Sequence, residues 1–207
     1  MKSVADFYPL VLAASDVATD EHESVVHEAI RASTIAFMRE TEIARDEMYI
    51  KAQCGVDEYP LDMPDCHVLV GVRDVWIGGK ANNDNPIKDD GWDKLHAGRN
   101  YDVDIHTTPN RAIYIDDAGK DWIYISYSYS IGRDGCDIPE FLYEEWAEAI
   151  VAGAVHRLKV RMGAAAATIE LASYEQAVAV AKSRINRAYV RGKKFAHAKP
   201  FLGGRYR

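Results

Sequence analysis

Carboxylates are the most abundant groups in this 207-residue chain that could do chemistry: 32 Asp and Glu stand against 25 Lys and Arg. Asp84, Asp89, Asp90, Asp93, Asp102, Asp104, Asp116, Asp117 and Asp121 crowd its middle. Two carboxyl groups flanking a bond can act as acid and base in its hydrolysis. Local spacing does not bring two of them to one cleft, however, and acid-rich loops are ordinarily just hydrated. His22, Glu23 and His27 are the nearest approach to a metal motif. Their histidines are five apart, which on a helix turns the two rings away from each other. Cys54, Cys66 and Cys136 are odd in number and irregular in spacing, with no C-x-x-C pair. They are expected as buried or half-buried free thiols rather than zinc ligands or a disulfide framework. Phosphate-cradling glycine loops, a G-x-S-x-G elbow and H-E-x-x-H are all missing from the sequence. No catalytic residue, metal or cofactor is therefore assigned, and the chain reads as a non-enzyme. A hydrolase using the loop carboxylates is the competing enzyme reading; it requires carboxyls of displaced pKa in a concave pocket.

The elements that would position these groups follow from apolar periodicity. Residues 1–18 read as an apolar, partly extended lead-in. Thr19-Asp20 offers an N-cap, and Val26, Ala29, Ile30, Ser33, Phe37 and Met38 recur at helical spacing to about Glu40. Alternation from Met48 to Cys54 predicts a strand, and His67–Ile77 a second. Residues 81–100, rich in Asn, Asp and Gly, read as a loop with Trp92 pinned to the domain. Asn110–Asp116 and Asp121–Ile131 flank Asp117-Ala118-Gly119-Lys120 and read as a β-hairpin. Trp122, Tyr124, Tyr127 and Tyr129 then belong to a half-buried strand before they suggest an aromatic ligand platform. Pro139 suits a first helical turn, with Glu140, Glu144, Glu145 and Glu148 loading the N-terminal half. That helix, with Trp146, Ile150, Gly153, Ala154 and Leu158 on one face, is expected to end near Met162-Gly163. The last helix spans about Ile169–Val190, with Leu171, Tyr174, Val178, Ala181, Ile185 and Tyr189 inward and Gly192 as its stop.

No βαβ alternation occurs, so the fold class is α+β: about three long helices with an inserted antiparallel sheet or small barrel and an extended C-terminal tail. The expected divisions are a helical domain of residues 1–40 and 138–192, a β insert of 41–137, and a tail of 193–207. No apolar run approaches the roughly 20 residues of a bilayer span, and the N-terminus lacks a secretory core. The protein is expected to be made in a cytoplasm and to have no membrane partner.

Charge is segregated along the chain. Net charge is −7, yet after Glu175 come nine cations and no anion. Residues 1–175 thus hold 16 cations against 32 anions, a balance of −16. A basic end on an acidic body seeks an acidic protein surface or nucleic acid. A nucleic-acid-binding module is accordingly the second competing reading, although the acidic body would repel a duplex.

Three segments carry a resemblance. The run Ile138-Pro139-Glu140-Phe141-Leu142-Tyr143-Glu144-Glu145-Trp146, continuing through Ala149 to Gly153-Ala154 and Leu158, resembles a proline-initiated helix after the last strand of head-to-tail adaptor proteins of tailed, especially short-tailed, bacteriophages. Tyr174-Glu175-Gln176-Ala177 through Ala188 is similar to their last helix. Ala29-Ile30-Arg31 through Asp46 is similar to their opening helix and its turn into the sheet. The resemblance spans about residues 20–190 and departs at Met162–Thr168, where Gly163 and an alanine run replace the proline-containing connection of related chains. It implies a virion protein of the neck between head and tail. Such adaptors form a twelve-subunit ring between the portal protein and the tail nozzle or tail tube protein, through whose channel DNA passes without specific binding.

Carried onto this chain, the resemblance makes Lys193, Lys194, Phe195, His197, Lys199, Pro200, Phe201, Leu202, Arg205, Tyr206 and Arg207 a portal-docking tail. Its cations would meet acidic portal residues, and its aromatic residues would fill pockets. Trp146, Ala149, Gly153 and Ala154 become helix-packing residues whose small side chains admit a second helix. Asp84, Asp89, Asp90 and Asp93 become channel- or nozzle-facing acids that repel passing phosphates.

Overall fold

The computed structural model of the chain describes residues 1–15, 22–63, 66–78, 92–95, 103–106, 112–115, 122–134, 137–163 and 167–195. Its elements run α1 (Val4–Ala14), α2 (Glu23–Thr41), β1 (Arg45–Lys51), β2 (Glu58–Pro60), β3 (His67–Gly78), β4 (Trp92–Leu95), β5 (Val103–His106), β6 (Ala112–Ile115), β7 (Trp122–Ile131), α3 (Glu140–Arg161) and α4 (Thr168–Phe195). The fold is mixed α/β with antiparallel strands, and the chain divides into two compact units. The first comprises Met1–Ile43, Asp65–Val68 and Ser130–Arg184; the second comprises Ala44–Pro64, Leu69–Tyr129 and Ile185–Arg207.

The first unit is helical. Residues 1–18 were expected as an extended lead-in, but α1 occupies Val4–Ala14. Val4, Phe7 and Val11 recur at three and four, and all are buried. The Ser3 amide donates to Asp6 Oδ2 at 2.7 Å, which secures the helix start despite Pro9 inside it. The Thr19-Asp20 cap lies outside the described residues; α2 begins at Glu23, with His22 accepting the Ser24 amide through its ring. All six positions expected to face inward on α2 are buried, and Glu42 closes the helix in a left-handed conformation, φ 50°. Pro139 is the N-cap of α3, one position before the expected first turn. A backbone bridge between Lys2 and Ile138 ties the chain's first residues to that cap. Around its middle α3 buries Ala149, Ile150, Val151, Gly153, Ala154 and Val155, nearly consecutive positions that go most of the way around the helix, as befits a helix packed on several sides. Both α1 and α2 pack on α3.

Apart from the end of α4 from Ile185, the described part of the second unit is built of sheets. One sheet has the order β1-β7-β3-β4 and the other β2-β6-β5. The expected hairpin is not formed: β6 pairs with β2 and β5, whereas β7 pairs with β1. Segment 116–121 therefore links strands of different sheets. Turn chemistry at Asp117–Lys120 could not report this, because partner choice is made by side chains far away in sequence. Ile123, Ile125 and Tyr127 of β7 join Tyr59, Ile113 and Ile115 of the second sheet in one apolar cluster, with Met48 and Ile50 of β1 against it. Each such fully buried side chain contributes on the order of 1.5–3 kcal/mol relative to exposure. The region read as a loop, residues 81–100, contains β4, paired antiparallel with the end of β3 from Val75↔Leu95 to Gly78↔Trp92.

Candidate functional site

The helix-packing residues meet at a junction of α2, α3 and α4. Trp146, Ala149 and Ala154 are buried on α3, and Gly153 sits opposite Ser33 and Tyr174. A Cβ at Gly153 would collide with Ser33 Oγ and come within 2.8 Å of Tyr174 Cδ2. Only a hydrogen in place of a side chain admits both neighbours. Ser33 Oγ donates to the Ile150 carbonyl at 2.8 Å, a hydrogen bond between helices at a fully buried position. The Phe37 ring lies 5.3 Å from Trp146 in a tilted contact and 6.3 Å from Tyr174 in an edge contact. Tyr174 donates to Glu40 Oε1 at 3.4 Å, and its phenol is pushed up by burial and then by the Glu40 carboxylate. Arg184 of α4 lies 4.9 Å over the Trp146 ring while its guanidinium reaches Glu145 Oε2 at 3.3 Å. The start of α4 is held by His156 Nδ1 against the Ala167 carbonyl at 2.8 Å and by Lys159 Nζ on Glu170 Oε1 at 2.5 Å. That ion pair holds the Glu170 carboxyl below its ordinary range, chiefly through the Lys159 hydrogen bond. Leu171, expected inward on α4, is 36% exposed; among the described side chains of α4 the buried ones form a thin stripe at Tyr174, Val178 and Ala181.

A second cluster lies on the sheet that carries β1 and β7. Tyr49 and Tyr124 face each other across the ladder with ring centroids 5.1 Å apart. Burial and the Glu47 carboxylate push the Tyr49 phenol up to about 12, and the same two causes raise Tyr124 further. On the opposite face Tyr127 is fully buried and donates to the Asp62 carbonyl at 3.0 Å. Neutral phenols held this firmly are structural donors at neutral pH rather than nucleophiles.

The other sites expected from sequence are placed as follows. Asp84, Asp89, Asp90, Asp102, Asp116, Asp117 and Asp121 lie outside the described residues. Asp93 pairs with Ile77 in the β3–β4 ladder, and Asp104 pairs with Tyr114 between β5 and β6. Among the described residues no group of three or more His, Cys, Asp and Glu is gathered as metal ligands, and none of their helices is long and apolar enough to cross a membrane. His22 caps α2 and His27 pairs with Glu23 at 3.7 Å, so neither motif histidine is arranged with the other. Buried or half-buried free thiols were expected: Cys54 is free but exposed, and Cys66 is disulfide-bonded. Spacing misled here because a disulfide depends on proximity in the folded chain, and proximity leaves no local signature.

The tail begins later than its glycine implied. Gly192 does not stop α4, which continues to Phe195, so Lys193, Lys194 and Phe195 are helical. A single glycine costs a helix only about 1 kcal/mol, which the flanking residues of a long helix absorb. His197, Lys199, Pro200, Phe201, Leu202, Arg205, Tyr206 and Arg207 lie outside the described residues. What the sequence reading missed in the helical unit is α1, although the spacing of Phe7 and Val11 carried the signal. Compared with known protein families and with curated proteins, the chain matches none.

Proposed function

We propose that the chain is a structural virion subunit: a head-to-tail adaptor that forms a ring between portal and tail nozzle and leaves a channel for DNA. The finer architecture belongs to the same reading, namely a bundle of long helices, an inserted antiparallel β domain and a C-terminal docking tail. The observation that carries it is charge carried on a helix. From Lys182 to Lys194, α4 bears six cations and no anion, on a chain whose first 175 residues have a balance of −16. A cationic helix end followed by Phe201, Leu202 and Tyr206 has the composition of a docking element for an acidic, pocketed protein surface. The tight junction around Gly153 supports a rigid structural body rather than a catalytic cleft.

The test is portal binding. Full-length chain and a chain lacking the tail residues 193–207 are mixed with purified portal ring and viewed by negative-stain microscopy. The intact chain is expected to add a ring of density to the portal, and the shortened chain to fold but fail to attach. Attachment unaffected by the deletion removes the docking role of the tail. Salt-sensitive binding of duplex DNA by the tail, without portal binding, replaces the adaptor reading with the nucleic-acid one.

A further inference from the structure

Exposed apolar side chains gather where α3 passes into α4. Val160 is 56%, Met162 49% and Ile169 75% exposed. They belong to one end of the helical hairpin, because the Lys159–Glu170 pair and the His156–Ala167 hydrogen bond clasp the start of α4 to the last turns of α3. Arg157 and Arg161, both exposed, rim this end. The opposite end of α3 has the complementary character. Glu140, Glu144 and Glu148 recur at every fourth residue and are all exposed, and Met1, 64% exposed, reaches Glu140 through its amine at 3.6 Å. Glu144 and Glu148 have no cationic partner among the described residues. Arg157 is thirteen residues beyond Glu144, which places it about 20 Å further along the axis and about 140° round it. The two patches therefore lie at opposite ends and on largely opposite sides of one helix, too far apart to pair with each other within one chain.

We infer that the cation-rimmed apolar end of the α3–α4 hairpin docks on the acidic N-terminal face of α3 in a second copy of this chain. Val160, Met162 and Ile169 are covered in the contact, while Arg157 and Arg161 meet Glu144 and Glu148 of the neighbour. A contact between two different patches is heterologous and propagates: it closes into a ring if the rotation per step closes, and otherwise gives a filament. The inference deepens the adaptor reading and rests on it only for closure into a ring. The internal pairs Arg184–Glu145 and Lys159–Glu170 use other atoms and remain intact in the contact.

A charge swap on the full chain tests this. The variants Glu144→Lys/Glu148→Lys and Arg157→Glu/Arg161→Glu carry two like-charged patches each and are expected to self-associate at least about tenfold more weakly than the wild type. An equimolar mixture of the two restores complementary contacts on both sides and is expected to recover association. Sedimentation velocity up to about 1 mM chain at low salt reads all three, a concentration at which even a weak contact is populated. Met162→Ser, at an exposed position, tests the apolar part of the contact without changing charge and is expected to weaken association without unfolding the helices, as checked by circular dichroism. A wild-type chain monomeric over the whole range, a single variant associating like wild type, or a mixture that fails to recover each overturns the interface. Rings on the portal that ignore every swap leave the adaptor reading standing and remove this contact. Swap-sensitive filaments that never bind portal do the reverse.

Discussion

Replacing Gly153 by alanine isolates the closeness of the helix junction from every other contribution. On propensity alone the change is favourable, since alanine is better than glycine inside a helix by about 1 kcal/mol. The site opposes it. The new methyl group would overlap Ser33 Oγ and stand 2.8 Å from Tyr174 Cδ2, and neither neighbour is free to retreat. Ser33 is fully buried and bonded to the Ile150 carbonyl, and Tyr174 is packed against Phe37 and bonded to Glu40. Forcing a methyl into a filled core costs about 1–3 kcal/mol. Disturbing the Ser33 hydrogen bond adds about 1 kcal/mol. Against the propensity gain, Gly153→Ala is expected to destabilise the chain by about 1–3 kcal/mol. Urea unfolding followed together by far-ultraviolet circular dichroism and Trp fluorescence reads the change. Ser33→Ala removes one of the two obstructing atoms, so the double variant is expected to lose about 1 kcal/mol less than the two single losses combined. A Gly153→Ala chain as stable as wild type or more so would refute the close approach of the helices here.

Other outcomes follow from the same contacts. Burial first, then Asp46 for Tyr127 and Glu40 for Tyr174, raises these phenols in the folded chain. Their contribution to stability is complete below pH 10 and is lost above it, at about 1.4 kcal/mol per pH unit for each group as the unfolded phenols ionise. Urea midpoints at pH 9 and 11 should therefore differ, with Tyr174→Phe reducing the difference; a flat profile contradicts the burial of these rings. Glu170 has the opposite sign, because its folded carboxyl is lowered by Lys159. Its contribution is present above the ordinary value of 4.5 and fades as pH falls below it. Lys159→Met is accordingly expected to cost about 1–2 kcal/mol at pH 7 and much less at pH 3. Equal losses at both pH values would show that the lysine acts through packing alone. Finally, thiol mapping by alkylation and mass spectrometry is expected to label Cys54 without reductant and Cys66 only after it. Labelling of Cys66 in the native, unreduced chain contradicts its bond.

The helices were legible where burial is local and periodic. Val26, Ile30 and Phe37, and again Trp146, Ile150 and Leu158, repeat at a spacing that only a helix turns into one face. Pro139 fixed the start of α3 to within one residue. What escaped depends on distant partners. Glycine at 192 looks like a stop in isolation, yet α4 passes through it. The strands β6 and β7 are adjacent in sequence and part company because Ile113 pairs across to Tyr59 and Ile105 while Ile123 pairs to Ile50. The four residues of β4 hide among Asn, Asp and Gly and are strand only because the end of β3 offers an edge. Of the candidate site, the small residues of α3 could be named from sequence, but the serine and tyrosine that Gly153 admits could not. The acidic loop and most of the tail fall outside the described residues, so composition alone speaks for them.

β1 directly follows the opening helices, and β7 directly precedes α3. The two lie side by side over seven residues, and the Tyr129 amide closes the pair on the Ala44 carbonyl at 3.0 Å. The first and last strand of the Ala44–Tyr129 stretch are thus held side by side, although Asp65–Val68 within that stretch belongs to the first unit. Because this ladder closes the stretch at its two ends, lengthening a connection between inner strands enlarges a loop that is already closed, at an entropic cost that grows only slowly with length.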